Sequence, residues 1–165
     1  MKSYQLQFKQ NLPITLAKAW DFFSSPTNLA KITPDDMEFI VTSQSSANEK
    51  MYPGMIITYK VSPLFGIKLN WMTEITQVED QKYFIDEQRF GPFKFWHHQH
   101  HFKAIDGGVE MTDILTYGLP LGFLGQLAHA IMVKNKVKEI FTFREKKVNE
   151  LFGKYEIKPS HIIIK

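Results

Sequence analysis

The feature that most constrains the fold is a change of hydrophobic period at Pro120. Before it, alternating or continuous apolar runs read as strands, with candidates at 37–44, 54–62, 67–78, 82–90, 94–104 and 109–118. After it, apolar residues recur at helical spacing over about 30 residues, which corresponds to roughly 45 Å of helix. A helix of that length is expected to lie across a sheet.

Short separators between the strand candidates set the topology. Turn formers such as Pro53-Gly54, Gly91-Pro92 and Asp106-Gly107-Gly108 leave too little chain for crossover helices. Consecutive strands are therefore antiparallel.

The N-terminal segment completes the predicted architecture. Residues 4–8 alternate as one more strand, and two short helices are predicted between residues 15 and 34. The chain is predicted to be an α+β protein with a curved antiparallel sheet of about seven strands around a long C-terminal helix. Residues 1–153 form one domain in this interpretation, and 154–165 form a C-terminal tail whose order the sequence leaves open.

Composition removes several classes of function. The net charge is +3 with scattered basic residues, and no nucleic-acid-binding motif is present. The absence of cysteine excludes disulfides and thiolate metal sites. No signal-peptide run and no apolar window near the roughly 18 residues of a membrane span is found. These features predict a cytoplasmic protein without stable membrane insertion, and they leave its oligomeric state open.

A histidine-rich strand is the chain's least ordinary stretch. Four of the six histidines lie within residues 97–101. Alternate side chains of a strand share a face, and the bulky apolar residues assign one face to the interior. That inner face carries Trp96, His98, His100 and Phe102, and the outer face carries His97, Gln99 and His101.

Neighbouring strands place further polar residues on the same inner face. Hairpin connections bring strands 82–90, 94–104 and 109–118 side by side. The residues predicted to line one wall of an internal cavity and bind a ligand are Trp71, Asp86, Gln88, Trp96, His98, His100, Asp113 and Tyr117.

Three interpretations of the polar cluster remain open. Asp86 or Asp113 could fix the tautomers of the histidines in a hydrogen-bonded network, with or without contact to a ligand. Two histidines at i and i+2 with one carboxylate also resemble an iron or zinc site. His98 or His100 beside Asp113 or Asp86 is the candidate catalytic pair, because an imidazole suits proton transfer at neutral pH. The first interpretation is preferred, so no metal ligand is assigned, no cofactor is predicted, and no tightly bound metal is required for folding.

Local motifs add a family resemblance. The pattern D-x-Q-x-x-G-P-aromatic, then W-x-H-x-H-x-F, then D-x-x-x-Y-x-x-P resembles a bacterial ligand-binding branch of the START and birch-pollen-allergen-like (SRPBCC) superfamily. Its members include lipid-transfer domains, polyketide cyclases and coenzyme Q-binding proteins. The resemblance covers residues 1 to about 153 and implies a helix-grip fold with a cavity. The matching residues are Asp86, Gln88, Gly91, Pro92, Phe93, Trp96, His98, His100, Phe102, Asp113, Tyr117 and Pro120.

The predicted function is binding of a small hydrophobic or amphiphilic molecule, such as a lipid, polyketide, isoprenoid or aromatic compound. A non-catalytic binding protein is preferred over a cyclase- or dehydratase-type enzyme that uses a His/Asp pair. A regulatory or protein-interaction module is the third alternative, and a cavity filled by side chains would favour it.

Overall fold

The computed structural model describes residues 2–43, 49–62, 66–156 and 160–165. It contains one curved, eight-stranded antiparallel sheet with strand order β2-β3-β4-β5-β6-β7-β1-β8. The strands are β1 (Ser3–Leu12), β2 (Ile40–Val41), β3 (Ile56–Val61), β4 (Leu69–Glu79), β5 (Tyr83–Phe90), β6 (Phe95–Ile105), β7 (Gly108–Gly118) and β8 (His161–Ile164). The predicted helix-grip architecture is confirmed.

Short helical segments follow the first strand, as predicted. Helix α1 (Leu16–Phe23) begins where the Thr15 hydroxyl accepts a hydrogen bond from the Lys18 backbone N–H at 3.2 Å. Two 3₁₀ segments follow, Pro26–Ile32 and Asp35–Met37. Together they cover one end of the sheet.

The long C-terminal helix is continuous but not uniform. It comprises α2 (Gly122–Ala128), a π-helical segment (His129–Val133) and α3 (Lys134–Phe152). Gly153 ends it at φ +90°, a conformation that glycine adopts readily. The helical period after Pro120 therefore predicted both its extent and its end.

Two strand predictions are changed by the structure. The candidate strand 37–44 shrinks to the two residues of β2, because Asp35–Met37 form a 3₁₀ turn and Glu38 has a left-handed backbone. Residue 44 and the separator residues 63–65 lie outside the described part of the chain. An eighth strand, β8, arises from the predicted tail and pairs with β1 from Leu6↔Ile164 to Lys9↔His161.

Apolar side chains fill the two ends of the space between sheet and helix. At one end, α1 packs against β5 and β6 through Trp20, Phe84 and Phe102. At the other, β1 and β7 pack against α3 through Phe8 and Phe141. Among the described residues, no helix is both long and apolar enough to cross a membrane.

Candidate ligand-binding site

A cavity of about 510 Å³ lies between the concave face of the sheet and the long helix. Its wall is mainly apolar and aromatic, with Trp71 from β4, Phe84 from β5, Trp96 from β6 and Val137 from α3. Trp71 and Trp96 contact each other edge to face with ring centroids 5.2 Å apart. The curved sheet and the helix thus enclose a space that their own side chains leave unfilled.

Strand alternation in β6 places the histidines as predicted. The side chains of His98 and His100 are 6% and 11% exposed, and that of His97 on the opposite face is 25% exposed. His97 contacts Glu87 and His101 contacts Gln99, both outside the cavity. His98 and His100 both line the cavity.

Two aspartates flank the inner histidines. Asp86 from β5 and Asp113 from β7 lie on either side of β6, and cross-strand pairing sets Asp86 opposite His98 and His100 opposite Asp113. Asp86 Oδ2 is 3.4 Å from His98 Nδ1 and 3.0 Å from His100 Nε2. Asp113 Oδ1 is 3.2 Å from His98 Nε2 and 2.7 Å from His100 Nδ1. Each imidazole therefore lies between two carboxylates.

Hydrogen bonding within this cluster is incomplete. The contact between His100 Nε2 and Asp86 Oδ2 has hydrogen-bond geometry. Both Asp113 carboxylate oxygens and His98 Nε2 are buried without a hydrogen-bond partner among the described residues, despite their short distances. Buried polar atoms normally find partners, so this wall of the cavity has unused capacity to bind a polar group.

Burial and neighbouring charges shift the pKa values of the two histidines in opposite directions. Burial lowers the pKa of His98, and the neighbouring His100 lowers it further. Burial alone would lower the pKa of His100 too, but contacts with Asp113 and Asp86 outweigh it and raise that pKa. His100 is accordingly the first of the pair to take up a proton.

Both carboxyl groups are held in the ionised form. Burial alone would raise the pKa of Asp86 and of Asp113, but the two histidines more than offset it and lower both. The charge of Arg144 also lowers the pKa of Asp86. The cluster is therefore an anionic wall that carries a proton most readily on His100.

Arg144 is a cavity residue that the sequence analysis did not single out. It lines the cavity, its guanidinium lies 5.2 Å from the centre of the Phe141 ring, and its buried Nε has no hydrogen-bond partner among the described residues. The spacing of Val137, Phe141, Arg144 and Val148 puts it on the inward helical stripe. This spacing in the sequence could have identified Arg144 as an inward-facing residue, but the basic cluster at 144–147 is more typical of a solvated helix face.

Six of the eight predicted ligand-binding residues line the cavity: Trp71, Asp86, Trp96, His98, His100 and Asp113. Gln88 and Tyr117 are not part of its wall. The Gln88 amide donates to Phe93 O at 2.6 Å and accepts from Phe93 N at 3.2 Å, which closes the turn between β5 and β6. The Tyr117 hydroxyl lies 2.9 Å from His129 Nε2 in the π-helical segment.

The rim of the cavity is apolar as well. Ile67 before β4, Leu121 and Leu124 at the start of α2 line it while remaining 59%, 75% and 63% exposed. Gly125 packs closely here, since a Cβ at this position would lie 2.1 Å from Pro120 O. The mouth of the cavity is therefore lined by exposed apolar side chains.

The fold and this enclosed site define a helix-grip protein with an internal cavity. No protein-family model and no curated protein matches the sequence. Solved structures do match, and the likeness is one of fold alone.

Three solved structures illustrate that likeness. Protein CV1439 from Chromobacterium violaceum is 11% identical with a TM-score of 0.69 and covers 92% of this chain and 98% of its own. Protein Ms6760 from Mycobacterium smegmatis is 18% identical with a TM-score of 0.64 and covers 89% of each chain. Ara h 8.0201, a Bet v 1-like protein, is 16% identical with a TM-score of 0.57 and covers 90% of this chain and 99% of its own.

Proposed function

We propose that this chain binds a small hydrophobic or amphiphilic molecule, such as a lipid, polyketide, isoprenoid or aromatic compound, in its internal cavity. The observation that carries the proposal is an apolar, aromatic-walled space of about 510 Å³ with one polar wall. Ligand cavities commonly measure about 300–1,000 Å³ and combine apolar walls with a few convergent polar groups. A volume of this size argues against the alternative of a vestigial cavity.

Polar groups at two places would orient the head of such a ligand. The Asp86, His98, His100 and Asp113 cluster offers buried atoms without partners, and the buried Nε of Arg144 is a further unused donor. A hydroxyl or carbonyl group of the ligand would suit the Asp/His cluster, and an acidic or carbonyl oxygen would suit Arg144. The apolar body would lie against Trp71 and Trp96 and gain free energy from burial at roughly 25 cal/mol per Å².

The motif resemblance supports the same assignment at a finer level. We place the chain in the ligand-binding branch of the SRPBCC superfamily on the basis of its D-x-Q-x-x-G-P and W-x-H-x-H-x-F motifs. Gln88 and Gly91 of the first motif build the β5–β6 turn, and His98 and His100 of the second line the cavity. The motifs thus combine a structural element with site residues.

Catalysis is the second candidate, because one histidine pairs with a buried carboxylate at the border of the cavity. His100 Nδ1 lies 2.7 Å from the buried Asp113 carboxylate, and the ring borders the cavity. A carboxylate that orients an imidazole beside a bound substrate is the arrangement for general acid–base chemistry of the cyclase or dehydratase type. Turnover of an identified ligand, lost in His100→Gln while binding persists, would favour this candidate over simple binding.

The test of binding uses native mass spectrometry and a fluorescent probe. Freshly purified protein is examined for a co-purifying small molecule, and the emptied protein is titrated with the apolar anion anilinonaphthalene sulfonate. Saturable binding of one probe per chain is expected.

A matched pair of helix variants locates the probe. Ala128 lines the cavity and Ala130 is exposed on the same helical stretch. Ala128→Trp fills the space and should weaken probe binding about tenfold or more, since about 1.4 kcal/mol of lost contact suffices. Ala130→Trp should change little. Equal behaviour of the two variants, or no saturable binding by the unmodified chain, would overturn the proposal.

A further inference from the structure

We propose that Asp86, His98 and His100 form a binding site for a divalent transition-metal ion, such as Zn²⁺, Fe²⁺ or Co²⁺, on the polar wall of the cavity. Each residue offers one ligand atom, and the three atoms lie within 4.8 Å of one another. The site lies on the same polar wall as the proposed ligand head, but its test needs no organic ligand, and it goes beyond the binding function proposed above.

Spacing of the three atoms carries the inference. Asp86 Oδ2 lies 3.4 Å from His98 Nδ1 and 3.0 Å from His100 Nε2. Two atoms bound to one ion at about 2.0–2.1 Å lie roughly 2.9–3.4 Å apart when they subtend an angle of about 90–110° at the ion. The observed separations are those of two neighbouring ligands around one small ion.

The strands hold these side chains in place. His98 and His100 occupy alternate positions of β6, and β5 pairs Asp86 directly opposite His98. Ligands on adjacent central strands of a sheet are fixed by the backbone ladder rather than by a mobile loop. Little rearrangement is needed on binding.

Asp113 supplies the outer contact that such a site needs. Its Oδ1 lies 3.2 Å from His98 Nε2 and 2.7 Å from His100 Nδ1, the ring nitrogens that face away from Asp86. A carboxylate on the far nitrogen of a metal-binding histidine orients the ring and strengthens the ligand. Here one buried carboxylate contacts both rings, and its two oxygens have no hydrogen-bond partner among the described residues.

Charge and ligand type narrow the choice of ion. Asp86 and Asp113 together carry two negative charges that attract a divalent cation beside neutral imidazoles, and the positive charge of Arg144 in the same cavity offsets part of that attraction. Two nitrogen ligands and one oxygen ligand favour zinc, iron or cobalt over magnesium or calcium. The three residues also border the cavity, so further coordination positions face its interior.

Direct titration of the metal tests the site. Chain stripped of metal with a chelator is titrated with Zn²⁺ and with Co²⁺ by calorimetry, and bound metal is quantified by elemental analysis. One ion per chain with micromolar or tighter affinity is expected, together with a higher Tm in the presence of Zn²⁺. X-ray absorption of the Zn²⁺ form should show two imidazole ligands, a readout that needs no variant.

Matched variants on one strand assign the ligands. His98→Ala, His100→Ala and the near-isosteric Asp86→Asn should abolish binding, and Asp113→Asn should weaken it about tenfold or more. His97→Ala, on the outer face of the same strand, should leave it unchanged. Failure of the unmodified chain to bind stoichiometrically, absorption spectra without imidazole, or equal loss in His97→Ala would overturn the proposal. Metal and probe binding are measured separately, so either proposal can fail alone.

Discussion

Histidines at the residue scale illustrate how neighbours in sequence acquire different roles. His98 and His100 lie in the cavity between two carboxylates, and His97 faces outward toward Glu87. His129 lies far from them in the π-helical segment, stacked on Tyr4 with ring centroids 3.3 Å apart. Burial and immediate neighbours, rather than residue type, decide what each imidazole can do.

His129 should make stability depend on pH. Its pKa is lowered by burial and then by the charges of Lys134 and Lys2. The unfolded chain therefore binds more protons at this site than the folded chain, so the contribution of His129 to stability rises as pH increases from about 5 to about 7. The difference in unfolding free energy between the unmodified chain and His129→Gln should grow over that range in urea titrations. A constant or decreasing difference would contradict the assignment.

At the scale of secondary-structure elements, some inward-facing polar residues support the fold and others line the cavity. The turn between β5 and β6 sets the register that brings Asp86 opposite His98, and Gln88 closes that turn with two hydrogen bonds to Phe93. On the helix, the inward stripe carries both core residues and the cavity residue Arg144. Gln88 on the inner face of β5 therefore has a structural role, whereas Arg144 on the inward face of the helix lines the cavity.

Gln88→Ala separates these two roles. Loss of two hydrogen bonds should destabilise the empty protein by about 1–3 kcal/mol. A residue that only contacts a ligand would leave the stability of the empty protein unchanged. Chemical denaturation without ligand decides between them, with Gln99→Ala on the outer face of β6 as the control expected to stay within about 0.5 kcal/mol.

At the scale of the whole molecule, the last strand, β8, pairs with the edge of β1 and extends the sheet. β8 covers the outer edge of β1, the strand that packs directly against the helix. An uncovered edge strand exposes unpaired backbone groups. The C-terminal residues 161–164 thus contribute to the same sheet that forms the cavity.

Substitutions in β8 should reveal that contribution. Ile162 is partly buried against the cluster of Tyr4, Leu6 and Phe8, whereas Ile163 is 43% exposed. Ile162→Ser should cost about 1–3 kcal/mol of unfolding free energy, and Ile163→Ser should cost clearly less. Thermal and urea denaturation of the two variants measures the difference. Equal effects would argue that β8 adds little to the packed sheet.

Sequence periodicity by itself determined the order of the elements, the antiparallel connections and the inner face of each central strand. These are local properties, because a side chain's face follows from its position in a strand and a turn follows from a few residues. The same reasoning brought Asp86, His98, His100 and Asp113 to one wall, since hairpins align adjacent strands.

Only the tertiary structure decided which inner residues border free space. Gln88 and Tyr117 share the inner face, but their polar atoms contact Phe93 and His129 instead of the cavity, and Arg144 reaches the cavity from α3 rather than from a strand. β8 likewise pairs with a strand at the opposite end of the chain. Such outcomes depend on sheet curvature and on contacts distant in sequence, which no local pattern encodes.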